Sequence, residues 1–187
     1  YNREIDKALL TWKNSPRHKP LLLRGARQVG KSSSIHHLAE QFESFVEINF
    51  ERKPNFAEIF KGDLGAQHII ENIKTITGED IIPGTTLLFF DEIQMCKEAI
   101  SSLRFFWEDV PELHVIAAGS LLEFALNEIP TFGVGRIHSM FMYPMSFDEF
   151  MGALGMNVLC KAKQNAPQTG PWPSFQHDKL VELCRTY

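Results

Sequence analysis

The chain is poor in cysteine. Its three, Cys96, Cys160 and Cys184, form an odd set with no C-x-x-C pair. That pattern supports neither a disulfide framework nor a thiolate zinc site, and reduced cysteines point to a cytoplasmic protein. Long apolar runs are also missing. The longest uncharged stretches, such as Leu113 to Leu122, fall far short of the ~18 apolar residues a membrane span needs. No basic segment followed by an apolar one opens the chain, so no secretory leader is visible. The neighbours His36 and His37 would point about 100° apart on a helix and cannot grip one ion together. A large net charge is lacking too: 19 basic against 23 acidic side chains leave −4, which by itself names no partner. Apolar material is plentiful. The chain is 44% hydrophobic with fifteen phenylalanines in 187 residues, which excludes a disordered chain and suffices for one substantial core.

The charge is unevenly spread. Residues 1–31 carry eight basic and two acidic side chains, so +6 there faces −10 in the remainder. A basic first third suits phosphates, whether of a nucleotide or a nucleic acid; a solvated basic helix is the plain alternative.

Apolar spacing organises the rest. Residues 3–12 place Ile5, Leu9 and Trp12 at helical intervals, ended by Asn14-Ser15-Pro16. Pro20 to Leu23 reads as a buried strand running into a glycine loop. Lys31 to Phe42 reads as a helix and Phe45 to Phe50 as a strand. Pro54 to Phe60 and Gln67 to Ile76 are helical. Pro83-Gly84 turns into Thr86 to Phe90, the most strand-like segment. Glu98 to Trp107 is expected as a helix, Leu113 to Ala118 as a strand and Leu121 to Glu128 as a helix. Arg136 to Tyr143 follows as a strand, then Ser146 to Leu154 as a helix capped by its serine. Strands alternating with helices, and apolar on both faces, predict an α/β fold: a parallel five-stranded sheet between helices, a three-layer sandwich. Past Gly155 the character changes, with a proline-rich linker at Asn165 to Pro173 and a helical stretch at His177 to Arg185. We therefore expect one α/β domain over residues 1–154. Residues 155–187 are expected to be a linker and the start of a truncated carboxyl-terminal region. The missing initiator Met and the stop inside a helical stretch suggest a longer polypeptide.

Two segments carry chemistry. Gly25-Ala26-Arg27-Gln28-Val29-Gly30-Lys31-Ser32, followed by Ser33, matches the full phosphate-loop pattern between a strand and a helix. Glycines let successive N–H groups point inward at phosphate oxygens, and the helix beginning near Lys31 adds its positive end. Lys31 supplies a point charge to the β and γ phosphates, and Ser32 a hydroxyl ligand for Mg²⁺. Thr86-Leu87-Leu88-Phe89-Phe90-Asp91-Glu92 is an apolar strand ending in two carboxylates. Asp91 is the candidate Mg²⁺ ligand, and Glu92 the group that orients and polarises the attacking water. GTPases of the switch type need D-x-x-G where this chain has Asp91-Glu92-Ile93-Gln94, and no N-K-x-D guanine reader is present, so ATP is the expected nucleotide. Ser120 either presents a hydroxyl toward the γ-phosphate region or belongs to a plain turn with Gly119. Arg136 either reaches a neighbouring subunit's nucleotide or forms an ion pair with a carboxylate such as Asp148 or Glu149. Cys96 reads as an ordinary core or surface cysteine.

With these residues in hand, the sequence resembles the AAA superfamily of P-loop ATPases. Within it, the chain looks like the prokaryotic branch of largely uncharacterised ATPases with a separate carboxyl-terminal domain. The likeness rests on Pro20 to Lys31, Thr86 to Gln94, Ala117 to Leu122 and Tyr143 to Phe150. It implies ATP and Mg²⁺ binding, hydrolysis, and assembly into homo-oligomers. It also makes Ser120 the counterpart of a polar residue often Asn or Thr. No helical lid with a second sensor arginine is recognisable; Arg185 is a remote candidate. Two rival functions remain open: a nucleotide-gated scaffold with negligible turnover, which docks a partner or its own carboxyl-terminal domain, and a DNA-associated ATPase.

Overall fold

The computed structural model describes residues 3–120, 122–127, 135–166 and 172–187. Along the chain, α1 (Glu4–Lys13), β1 (Leu21–Arg24), α2 (Lys31–Ala39), β2 (Ser44–Asn49), α3 (Ala66–Thr77) and β3 (Thr86–Asp91) come first. They are followed by α4 (Lys97–Asp109), β4 (His114–Ala118), α5 (Leu122–Asn127), β5 (His138–Phe141), α6 (Phe147–Ala153), α7 (Asn157–Gln164) and α8 (Ser174–Thr186). Two 3-10 helices, Pro54–Phe60 and Ile93–Met95, interrupt this series. The strands form one sheet in the order β2-β3-β4-β1-β5, and every pair is parallel. β4 therefore lies directly beside the strand that enters the phosphate loop.

The period-two geometry of a strand explains why the central strands are apolar throughout. Leu22, Leu88, Phe90, Val115 and Ala117 point into a core shared with Phe60, Ile69, Ile100 and Phe106. Their neighbours Leu21, Leu23, Leu87, Phe89, Ile116 and Ala118 point into a second core, shared with Leu9, Trp12, Ile35 and Leu38. α3, α4 and the first 3-10 helix cover one face of the sheet, and α1 and α2 cover the other. A parallel sheet needs such crossovers, because neighbouring parallel strands cannot be joined by a tight turn.

Several elements differ from expectation. β5 is shorter than the predicted Arg136–Tyr143 and largely exposed, because among the described residues it pairs with β1 alone and has no strand on its outer side. The segment Pro54–Phe60, expected to be helical, winds as a 3-10 helix with Phe56, Ile59 and Phe60 buried. Pro54 has no N–H to give, and three anchors in seven residues fix a tight winding. α2 stops at Ala39, short of Phe42, because Gln41 and Phe42 donate their N–H groups to Leu38 and Ala39 in tighter three-residue turns. α6 begins as foreseen. Ser146 Oγ accepts from Glu149 N at 3.2 Å while Glu149 accepts from Ser146 N at 2.7 Å, a reciprocal cap. α7 had no counterpart in the sequence reading. Leu121 and Glu128, the ends of one predicted helix, and residues 167–171 of the predicted linker lie outside the described residues. Among the described residues, no helix is long and apolar enough to cross a membrane.

Candidate nucleotide site

The loop from Gly25 to Ser32 joins β1 to α2 at the carboxyl end of the sheet, and its backbone explains its glycines. Gly25 has φ +148°, and a Cβ there would sit 2.3 Å from the Met142 carbonyl oxygen, so the end of β5 presses directly on the loop. Gly30 has φ +98° as the residue before α2. Gln28 also adopts a positive φ, 62°, a conformation that costs a non-glycine residue about 1 kcal/mol. These turns wrap the loop around the Lys31 ammonium, whose Nζ donates to the carbonyls of Gly25 at 3.0 Å and Ala26 at 2.8 Å. Lys31 is 7% exposed. Burial pulls its pKa below the usual lysine value, against the opposing pull of Glu92 and Asp91.

The two signatures meet across 59 residues of chain. Ser32 Oγ donates to the Asp91 carboxylate at 3.1 and 3.3 Å. Asn49, paired with Asp91 by sheet register, donates from Nδ2 at 3.0 Å, and the Glu92 N–H donates at 3.0 Å. Burial raises the Asp91 pKa in spite of the bonds from Ser32 and Glu92 N–H. Such a carboxyl gains from a cation beside it. Hard oxygen donors from a hydroxyl and a carboxylate suit Mg²⁺. Among the described residues no three His, Cys, Asp or Glu side chains converge. A Mg²⁺ ion here would therefore draw its other ligands from water and phosphate, as that ion commonly does.

Glu92, half-buried with φ 51°, follows directly. Its Oε2 accepts from Gln94 Nε2 at 2.6 Å. Ser120 sits at the end of β4 with its Oγ buried and no partner among the described residues. Arg136 stands elsewhere. Its Nε pairs with Glu108 of α4, whereas the two carboxylates suggested for it are taken: Asp148 by Lys163 at 2.5 Å and Glu149 by Arg3 at 2.9 Å. Arg27 makes an exposed pair with Glu51 at 3.2 Å. Cys96 is buried, which pushes its thiol up to about 11, so it is an inert core residue rather than a nucleophile.

A cleft of about 920 Å³ lies against the outer side of the loop. One wall is Ala26, Arg27, Gln28, Val29, Gly30 and Ser33; Arg3, Asp6, His37 and Pro144 face them. Arg3 ties these walls together. Its guanidinium donates to Val29 O at 2.8 Å, to Tyr143 O at 3.0 Å and to Glu149. Burial would raise the Glu149 carboxyl, but Arg3 and the N–H groups of Ser146 and Glu4 outweigh it and the pKa falls.

Sequence reasoning missed Arg3, Asn49 and Gln94. Asn49 left a signal, a polar residue closing an otherwise alternating strand. Gln94 is visible as the polar residue two past the carboxylates. Arg3 left none, because its partners lie 26 and 146 residues away.

No curated protein matches this chain. Among solved structures, Caenorhabditis elegans PCH-2 shares the fold at a TM-score of 0.50 with 13% identity, covering 91% of this chain and 50% of that one. The chain thus spans about half the length of that relative. A family model described as AAA domain matches residues 17–151, which include all five strands, the phosphate loop and both carboxylates; the chain belongs to the AAA domain family.

Proposed function

We propose that residues 1–154 form a unit that binds ATP through the Gly25–Ser33 loop and hydrolyses it with Mg²⁺ held by Ser32 and Asp91. The observation that carries this reading is the convergence of Lys31, Ser32 and Asp91 at one end of β1 and β3. A phosphate chain needs a positive charge, a ring of N–H donors and a cation ligand in one place. Lys31, already inside the loop, exchanges two carbonyl partners for phosphate oxygens. The loop N–H groups and the start of α2 direct further positive charge at the same point. Bound Mg²⁺ would supply neutralisation of charge building on the phosphoryl group. Asn49 holds Asp91 in its orientation. Glu92 accepts the proton of the reacting water as general base. Ser120 offers a hydroxyl beside the same strand ends. The cleft next to Ser33 and Pro144 has the volume for a base and sugar, within the ~300–1,000 Å³ typical of ligand sites.

The test is calorimetric titration of Lys31→Ala with Mg·ATP. A charge-assisted contact of ~1.5–3 kcal/mol corresponds to affinity lost by about ten- to a hundred-fold. Wild-type affinity in that variant ends the reading.

A further inference from the structure

The chemistry assigned above leaves one side chain at the strand ends without a role. Gln94 lies in the short 3-10 helix after β3 and is half-buried. On one side its Nε2 donates to Glu92 Oε2 at 2.6 Å. On the other side it lies flat against the turn after β4. A Cβ built on Gly119 would fall 2.1 Å from Gln94 Oε1 and 3.2 Å from its Cδ. Real side chains never approach so closely, so the absence of a side chain at Gly119 is what makes room for this amide. Gly119 has no unusual backbone angle that would otherwise call for glycine. Among the described residues Gln94 Oε1, which is buried, accepts no hydrogen bond, and neither does the buried Oγ of Ser120, the next residue in that turn. Buried polar atoms without partners are rare. Gln94 Oε1 belongs to the same amide whose Nε2 holds Glu92, which marks that amide as shaped for something other than packing.

We propose that Gln94 is the positioning residue of Glu92: seated against Gly119, its amide holds one carboxylate oxygen and leaves the other to face the reacting water. The inference rests on the reading of Glu92 as the general base. A glutamate side chain has three rotatable bonds, and here it springs from a backbone in the left-handed region. Such a side chain needs a partner to keep its carboxylate in one place. Gln94 supplies that restraint by donating to Oε2, and a neutral amide does so without cancelling the charge. Gly119 in turn restrains Gln94, so the strand that carries the candidate base and the strand that carries Ser120 are linked through one amide.

Four variants of the chain test this: Gln94→Ala, Gly119→Ala, their combination, and Gln94→Ala in a Glu92→Gln background. Gln94→Ala is expected to lower kcat by about ten- to a hundred-fold, the scale of a misplaced catalytic group, with Mg·ATP affinity within about two-fold of wild type. Gly119→Ala should do the same, because its methyl displaces the amide at 2.1 Å, a far closer contact than the other neighbour, the buried Leu122 Cγ at 3.1 Å. Once Gln94 is alanine, the Gly119 change should add nothing further. With Glu92 already changed to glutamine, loss of Gln94 should add nothing either, the non-additivity of groups acting as one unit. Unchanged or faster turnover in Gln94→Ala overturns the proposal, as do additive losses in either pair, or a matching loss of nucleotide affinity. A second readout does not depend on turnover. The side-chain amide resonance of Gln94 should shift in Glu92→Ala and in Gly119→Ala, and an unmoved resonance also overturns the proposal. If the wild-type chain releases no phosphate while that resonance responds, hydrolysis by Glu92 is what fails, and the positioning contact stands.

Discussion

At the scale of single residues, Asp91 and Glu92 are adjacent carboxylates in different surroundings. Asp91 ends a buried strand and receives donors from Ser32, Asn49 and the Glu92 N–H. Its carboxylate is therefore fixed next to the loop, where a cation would sit. Glu92 has left the strand, turned into a left-handed conformation, and among the described residues has one side-chain donor, Gln94. The expected consequences separate cleanly. Glu92→Gln should bind Mg·ATP about as well as wild type yet lose turnover by roughly 10²–10⁴-fold, the range for a general base. Asp91→Asn should weaken the dependence of nucleotide binding on Mg²⁺, seen by titrating the metal at fixed ATP. Equal turnover in Glu92→Gln and wild type would assign the base elsewhere.

At the scale of elements, α1 is held at both ends by contacts that its own sequence does not announce. At its start, Arg3 bridges the loop carbonyl of Val29, the Tyr143 carbonyl and Glu149. Removing one member of a largely buried pair leaves the other uncompensated. Arg3→Ala is therefore expected to destabilise the fold by about 2–4 kcal/mol and to weaken ATP binding modestly by loosening the loop. Urea unfolding and calorimetry read the two effects separately. At its other end, Trp12 meets an unusual pair. His18 and His114 stack with ring centroids 3.7 Å apart, and His114 Nε2 lies 3.0 Å from the Lys13 carbonyl. Burial is the main cause that lowers His114 to about 4, with His18 and the Lys13 ammonium acting in the same direction and the Lys13 carbonyl opposing. The fold thus prefers the neutral ring, whereas the unfolded chain takes up a proton near pH 6.5. This contribution is complete above pH 6.5 and lost as pH falls toward 4, by up to about 3 kcal/mol. Unfolding free energies at pH 7 and pH 4.5 should show that part of the slope removed in His114→Phe. An identical slope in the variant would refute it.

At the scale of the whole molecule, the phosphate loop, Asp91, Glu92 and Ser120 cluster at one end of the sheet, while Arg136 lies near the edge strand β5 and pairs with Glu108. Its side chain remains about half exposed. We propose it as a residue offered to a second copy, where a guanidinium would neutralise charge on the transferring group. Mixing decides this. Arg136→Ala and Lys31→Ala proteins, each inactive alone, should recover part of the wild-type hydrolysis when combined, because mixed assemblies contain intact sites. No recovery in demonstrated mixed assemblies, or normal hydrolysis by Arg136→Ala alone, removes the role.

The α/β sandwich, its five strands, the phosphate loop and the two carboxylates are legible along the chain. Each of these is written in contiguous residues: apolar runs for buried parallel strands, glycines for a tight turn, charges at a strand end. The sequence also carried the Ser146 cap, whose two partners are three residues apart. Tertiary structure decided whatever depends on distant segments meeting. The short β5, the 3-10 winding of Pro54–Phe60 and the pairing of Arg136 with Glu108 rather than Asp148 or Glu149 belong here. So do Asn49 beside Asp91, Arg3 beneath the loop, and Gln94 between Glu92 and Gly119. The reason is physical. A hydrogen bond or an ion pair depends on a separation of about 3 Å in space, and spacing along the chain reports such separations only within one helix or turn.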